Sequence, residues 1–268
     1  MSRFVDGSVN YVGNMSVRPR YYAQDHARDN LVLDPQTMRI EDLRDATERP
    51  TLEREGFALI PHKSKVEDFR DSEAVKRIHI PEIEQLVRKL SGASQVIVTG
   101  PGILRFGERS ADCGKYFNSY PARFIHVDIS DPTARAFAAR ARPHAGPARR
   151  FAHYNVWRAI SEPPQDVPLA LCDARSFAPE DLVTADAVFD ATDGPQWSFE
   201  GLVVRHNPAH RWCYFSNMTR DESLVFKTND SDPRAAHCVP HSAFDDPTCP
   251  ADVAPRASIE MRAVAFWD

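Results

Sequence analysis

No two cysteines in this 268-residue sequence are spaced C-x-x-C, and the five present (positions 113, 172, 213, 238 and 249) are odd in number. Neither a zinc knuckle nor a disulfide framework is indicated, so reduced thiols in a cytoplasmic setting are expected. No stretch approaches about 18 apolar residues in a row, and no membrane-spanning helix is expected. The opening MSRFVDGSVNYVG lacks a basic start and an apolar run, so no signal peptide is read there. Charge of one sign is not in excess: a net charge of -5 and a pI near 6.1 give no electrostatic case for nucleic acid or a membrane surface. Glycine is scarce, 11 against 21 prolines, which favours short strands and rigid loops over long helices. Internal repeats are absent. What is present, 42% hydrophobic and 26% charged residues, is ordinary for a globular chain long enough to bury a sizeable core.

One domain over 1–268 is expected, in two parts. Residues 1–120 read as an N-terminal arm, helices and a first strand. Within them 1–60 are polar and irregular, with NYVGNMSVRPRYY the one aromatic cluster. SKVE at 64–67 fits a capping box in which Ser64 and Glu67 satisfy each other's backbone donors. After Pro81, the residues Ile83, Leu86, Val87 and Leu90 recur on one helical face, and Gly92 supplies the stop. QVIVTG at 95–100 reads as a buried strand. From 121 to 268 the pattern turns to short strand candidates: RFIHVDIS, FAHYNVWRAI, PLALCDARS, AVFDA, LVVRHN, RWCYFSN, SLVFKTN, CVPHSAF and ASIEMRAVAFW. AFAARARPHAGPARR, 136–150, reads as a solvated basic loop or short helix. The fold class is mainly β, an antiparallel sandwich or jelly roll with an N-terminal helical and irregular wrap.

RFIHVDISD, 123–131, carries the chemistry. In a strand, side chains two apart share a face, so His126 and Asp128 converge on one spot. With ten His and 24 Asp in the chain, about one H-x-D arises by chance, and a plain His–Asp hydrogen bond competes with a metal site. A mononuclear iron site takes two histidines and a carboxylate, leaving open positions for a co-substrate and dioxygen. The favoured candidate for the third ligand is His241 in CVPHSAF, in competition with His210 in HRWCYF and His237. On the last strand Arg256 and Arg262 share parity with Ser258, and either can pair with the far carboxylate of 2-oxoglutarate, Arg256 being the first choice. Asn155 with Trp157 is a candidate cavity wall; Asn155 and Arg158, three apart, cannot both face the cavity. Asp173 with Arg175 reads as an ion pair, and Cys172 as core.

The blocks NYV, DSEAVKRIHIPEIEQLVRKLSGASQVIV, HVDIS, NVWRAI, PLALCDARS, DLV, HRWCYFSNMTRDESLVFKTNDS, PHSAFDDP and PRASIEMRAVAF run in that order over about 200 residues. In them the chain resembles a family of fungal and bacterial oxidoreductases. That family includes gibberellin desaturase-like enzymes, aspergillic-type hydroxylase/desaturases and the cephamycin methoxylation protein. The resemblance implies a double-stranded β-helix and an Fe(II)/2-oxoglutarate-dependent oxygenase that hydroxylates or desaturates a small secondary metabolite with dioxygen. It maps the iron ligands onto His126, Asp128 and His241, and the 2-oxoglutarate anion onto Arg256 or Arg262. Where the family shows Asp-His-Thr before a hydrophobic residue and Arg, this chain has TGPGILRFGERS. Arg105 remains without the Asp-His pair, a departure beside the expected substrate cavity. A cupin-type metal enzyme without 2-oxoglutarate and a metal-free accessory protein are the alternatives.

Overall fold

The computed structural model describes residues 3–189 and 197–268. Its strands in chain order begin with β1 (Arg3–Val12), β2 (Arg20–Tyr22), β3 (Leu33–Asp42) and β4 (Phe57–Pro61). A helical stretch follows, α1 (Ser72–Ala74), one π-helical turn, then α2 (Ile80–Ser91). Next come β5 (Gln95–Val98), β6 (Ile103–Phe106), β7 (His126–Val127), α3 (Asp131–Ala141), β8 (Arg150–Ala159) and β9 (Leu169–Cys172). After a 3-10 turn at Pro179–Asp181 come β10 (Leu182–Phe189), β11 (Trp197–Val204), β12 (Trp212–Tyr214), β13 (Glu222–Asp230), β14 (His241–Ala243) and β15 (Ala257–Trp267). They form a nine-stranded sheet, β1-β3-β12-β9-β14-β7-β11-β10-β2, and a six-stranded sheet, β4-β13-β8-β15-β5 with β6 also on β15. The architecture is a jelly roll.

Helix α2 decides which way the central strands face. Its buried side chains Ile83, Leu86 and Val87 cluster with Tyr154 and Val156 of β8 and with Ile259, Met261 and Ala263 of β15. Because strand side chains alternate, Asn155 and Trp157 of β8 and Glu260 and Arg262 of β15 are turned to the opposite face, between the sheets. The helix ends as its sequence predicts, with Gly92 left-handed at φ 67°. It starts differently. The helical stretch is capped at the head of α1 by Asp71, not Ser64, its carboxylate accepting from the amides of Glu73 and Ala74, and α2 itself has no side-chain cap. Ser64 Oγ instead donates to Glu82 Oε2 at 2.6 Å, so the 64–67 capping box is not formed.

The largest difference from the sequence reading lies in residues 1–60. The stretch read as irregular forms β1 and β3, antiparallel through ten paired positions from Arg3↔Asp42 to Val12↔Leu33. β3 then runs parallel to β12, so this ribbon extends the nine-stranded sheet. Gly7 makes the contact possible: a Cβ there would lie 2.7 Å from Ile40 Cδ1 and 2.8 Å from Phe244 Cδ2. Two smaller differences concern strands. The 123–130 candidate contracts to the two residues of β7, and the QVIVTG strand is half-buried, with Val96 its one buried side chain. The basic stretch 136–150 begins inside α3, which Ser130 caps by accepting from Thr133 N. Asp190 and Ala191 of AVFDA lie outside the described residues.

Candidate metal centre

β7 and β14 are neighbours in the nine-stranded sheet, and His126 stands directly opposite His241. Their ring centroids are 4.3 Å apart. Asp128 joins them, its Oδ1 3.8 Å from His126 Nε2 and 4.0 Å from His241 Nε2. One ligand atom from each of the three lies within 4.8 Å of the others, and all three residues are buried. Those carboxylate distances are too long for hydrogen bonds, so the plain His–Asp pair is not made. Each Nδ1 donates to a backbone carbonyl two residues back, of Phe124 and of Val239, both at 3.0 Å. A carbonyl only accepts, so Nδ1 carries a proton, and Nε2 is the nitrogen each ring presents toward the centre. Burial, then the neighbouring His241, pushes the His126 imidazole down to about 3, which keeps it neutral. Burial alone would raise the Asp128 carboxyl, but the Arg262 guanidinium, then His241 and His126, outweigh it and hold the group ionised. Two imidazoles presenting Nε2 and an ionised carboxylate are a donor set suited to a divalent cation.

Both oxygens of Asp128 are also held from the side. Asn155 Nδ2 donates to Oδ2 and Arg262 Nη2 to Oδ1, each at 3.3 Å. Register explains why: Arg262 faces Asn155 across the β15–β8 ladder, and Glu260 faces Trp157. Arg262 Nη2 donates also to Glu260 Oε1 at 3.2 Å, and Glu260 accepts two bonds from Arg105, both 3.1 Å. Asp128, Arg262, Glu260 and Arg105 therefore form a chain of alternating charge. Burial works to raise the Glu260 carboxyl, but Arg105 and Arg262 prevail and keep it low. Glu260 escapes a sequence reading that looks for cations on the last strand; its parity with 256, 258 and 262 is the available signal.

Arg256 differs from Arg262. It is 1% exposed, and its guanidinium makes no ion pair among the described residues. Nη1 donates to Val167 O at 2.9 Å, while the buried Nε has no partner. Burial, then Arg105 and Arg123, pushes it down to about 10, the mark of a cation lacking a counter-charge. It lines a narrow recess with Arg105, His126, Trp157, His241 and Glu260. At about 20 Å³ the recess has room for a water or two, so a larger anion there displaces side chains.

The other candidates go elsewhere. Trp157 lines the recess, whereas Asn155 bonds Asp128 and its buried Oδ1 has no partner. Arg158 points the other way, donating to His62 O at 2.7 Å and Ser223 Oγ at 2.9 Å. His210 does not line the cavity: it bonds the Tyr11 hydroxyl through Nδ1 (3.0 Å) and Asp181 through Nε2 (3.1 Å). His237 sits in a loop against Asp131 at 2.8 Å. Asp173 and Arg175 form an ion pair at 2.7 Å, and Cys172 is fully buried.

The sequence matches the oxidoreductase/YMDC permease-like domain over residues 6–266. It is 30% identical over 254 residues to the hydroxylase/desaturase CTB9 of Cercospora beticola, covering 88% of this chain and 78% of that one. It is 29% identical to the Fe(II)/2-oxoglutarate-dependent dioxygenase nvfI of Aspergillus novofumigatus, covering 87% and 84%. Among solved structures, the iron and alpha-ketoglutarate-dependent endoperoxidase NvfI superposes with a TM-score of 0.84 at 23% identity, over 98% of this chain and 97% of that chain. That likeness establishes the jelly-roll fold.

Proposed function

From the premise that the chain belongs to the oxidoreductase/YMDC permease-like family of the fungal hydroxylase/desaturases, we propose that it is an Fe(II)/2-oxoglutarate-dependent oxygenase acting on a small secondary metabolite. The narrower kinship with gibberellin desaturase-like and cephamycin methoxylation proteins, carried by the sequence blocks, belongs to the same reading. So do a single oxygenase unit over 1–268 and a cytoplasmic setting, consistent with five cysteines that are all unpaired. No described helix is long and apolar enough to cross a membrane.

In this reading His126, Asp128 and His241 hold the iron through Nε2, carboxylate and Nε2. Asn155 and Arg262 keep the carboxylate turned toward it. Arg256, not Arg262, anchors the far carboxylate of 2-oxoglutarate, because Arg262 is already spanned by Asp128 and Glu260. Bound there, iron and 2-oxoglutarate supply the power to oxidise an unactivated C–H bond with dioxygen; the protein supplies orientation and exclusion of water. The observation that carries the reading is the unpaired buried Arg256 lining one recess with both histidines. A cupin-type enzyme without 2-oxoglutarate has no use for that cation.

The test is an anaerobic titration of 2-oxoglutarate into Fe(II)-loaded protein, followed by admission of air. A charge-transfer band saturating at one equivalent, then succinate, is expected. Iron binding with no response to 2-oxoglutarate would replace this reading with the cupin-type one.

A further inference from the structure

A second cavity, about 430 Å³, reaches the centre at Asp128 and Arg262 and shares no lining residue with the Arg256 recess. A gap of about 40 Å³ lined by His126, Asp128, Arg105 and Arg262 lies between them. The size falls within the roughly 300–1,000 Å³ of small-molecule sites. Its walls are aromatic. Phe189 stacks on Trp197 (4.7 Å, 23°) and on Phe199 (5.4 Å, 21°), and Phe137 meets Phe199 edge-on at 5.3 Å. Two of its side chains, Phe117 at 47% and Trp197 at 44% exposure, keep apolar rings open to solvent. A single exposed apolar residue needs no explanation, but rings continuous with a cavity mark surface that a ligand covers.

Charge narrows the ligand. Asp128, Arg140 and Arg262 are the charged side chains lining the cavity. Arg262 is committed to both Asp128 and Glu260, and Asp128 to Arg262 and Asn155. Arg140 is exposed on α3, its guanidinium 5.5 Å from the Phe137 ring centre. His153 donates Nε2–H to Ala134 O at 2.9 Å, and burial pushes it down to about 4, so it is neutral. Among the described lining residues Arg140, out in solvent, is the cation without an ion-pair partner; deeper in, Arg262 and Asp128 are already paired with each other. A charged group entering would be desolvated without a partner.

We infer that this cavity takes an uncharged, carbon-rich molecule with a flat unsaturated ring system laid against the Trp197–Phe189–Phe199 stack. The inference rests on the oxygenase reading only in one respect, that the C–H to be oxidised is turned toward Asp128.

A matched pair of fluorescent probes tests it on the metal-free chain: neutral N-phenyl-1-naphthylamine, and 8-anilino-1-naphthalenesulfonate, the same skeleton with one anionic group. The neutral probe is expected to bind saturably at one site per chain, and the sulfonate at least roughly tenfold more weakly. Trp197→Ala and Phe199→Ala should each weaken the neutral probe by roughly tenfold, with Trp197→Phe retaining most of the affinity. Trp197 is half exposed, so its replacement leaves the core intact. His241→Ala should bind the probe unchanged, which separates this inference from the metal assignment. No saturable binding, equal or tighter binding of the sulfonate, or full affinity in both alanine variants overturns it.

Discussion

His126 and His241 on one side, and His210 on the other, are all buried beside a carboxylate, yet their ring nitrogens are spent differently. At the first site each Nδ1 donates to a carbonyl, and each Nε2 stops 3.8–4.0 Å short of Asp128. At the second, both nitrogens are used, on Tyr11 and Asp181 at 3.0 and 3.1 Å, and Trp212 Nε1 donates to the same Tyr11 hydroxyl at 2.8 Å. A closed set of partners stabilises a fold; a set left open by one atom per residue is available for a ligand. The arginines repeat the contrast. Arg158 and Arg256 are both buried without a carboxylate, but Arg158 donates to His62 O, Arg220 O and Ser223 Oγ, whereas Arg256 makes one side-chain bond. Burial alone therefore does not separate a site residue from a structural one. The number of partners a buried head group finds separates the two arginines, although Nε is unpartnered in both.

The comparison breaks most visibly at the metal. His126→Ala, Asp128→Ala and His241→Ala should each abolish stoichiometric Fe(II) binding in an anaerobic titration without unfolding the protein, while His210→Ala binds Fe(II) like the parent. Iron retained in the His241 variant and lost in the His210 variant would reverse the two roles. The arginines come next. Arg256→Gln should raise the Kd of 2-oxoglutarate by about 30- to 4,000-fold, the equivalent of about 2–5 kcal/mol for a buried charge partner, and leave iron affinity alone. Arg262→Gln should do the opposite, weakening Fe(II) by about 10- to 100-fold, as loss of a ligand's supporting contact does. If the Arg262 variant alone loses 2-oxoglutarate, the choice between them is wrong.

How far the sequence carries depends on whether a residue's task is local. Helix α2 is legible because Ile83, Leu86, Val87 and Leu90 repeat on one face between Pro81 and Gly92. The convergence of His126 with Asp128 is legible from two-residue spacing, and their meeting with His241 follows from strand order. β1 and β3 are not legible. In β3 only Ile40 and Asp42 are buried, so its hydrophobic period is nearly silent, and the ribbon is fixed by long-range pairing. The capping box at 64–67 is absent for a similar reason: Ser64 finds Glu82 eighteen residues away, a partner no short motif displays. Glu260 lies between these extremes, its position readable from parity and its role visible only once Arg105 and Arg262 stand on either side.

The smallest expected effect belongs to the closed cluster, and pH gives it a sign. Burial lowers the His210 imidazole below its usual value near 6.5, Asp181 partly opposes this, and His206 adds to it. The folded state therefore favours the neutral ring, while the unfolded chain takes up the proton below about pH 6.5. The unfolded state then binds more protons, so this residue's contribution to stability falls as pH drops below that point. Burial works to raise Asp181, but bonds from the Ala178 amide, His210 and Asn207 lower it. Its contribution is present above the usual carboxyl range and is lost at lower pH still. His79 and His153, each pushed down to about 4 chiefly by burial, add to the same slope between about pH 6.5 and 4 in parent and variant alike. His210→Ala leaves the Tyr11 hydroxyl and Asp181 short of a partner, so at pH 8 it should cost about 1–3 kcal/mol in urea unfolding. At pH 5 the gap to the parent should narrow, because the parent alone has lost the His210 contribution. A gap that widens at pH 5 would mean that His210 is charged and ion-paired to Asp181 in the folded protein, and the contrast between a closed and an open histidine site would no longer hold.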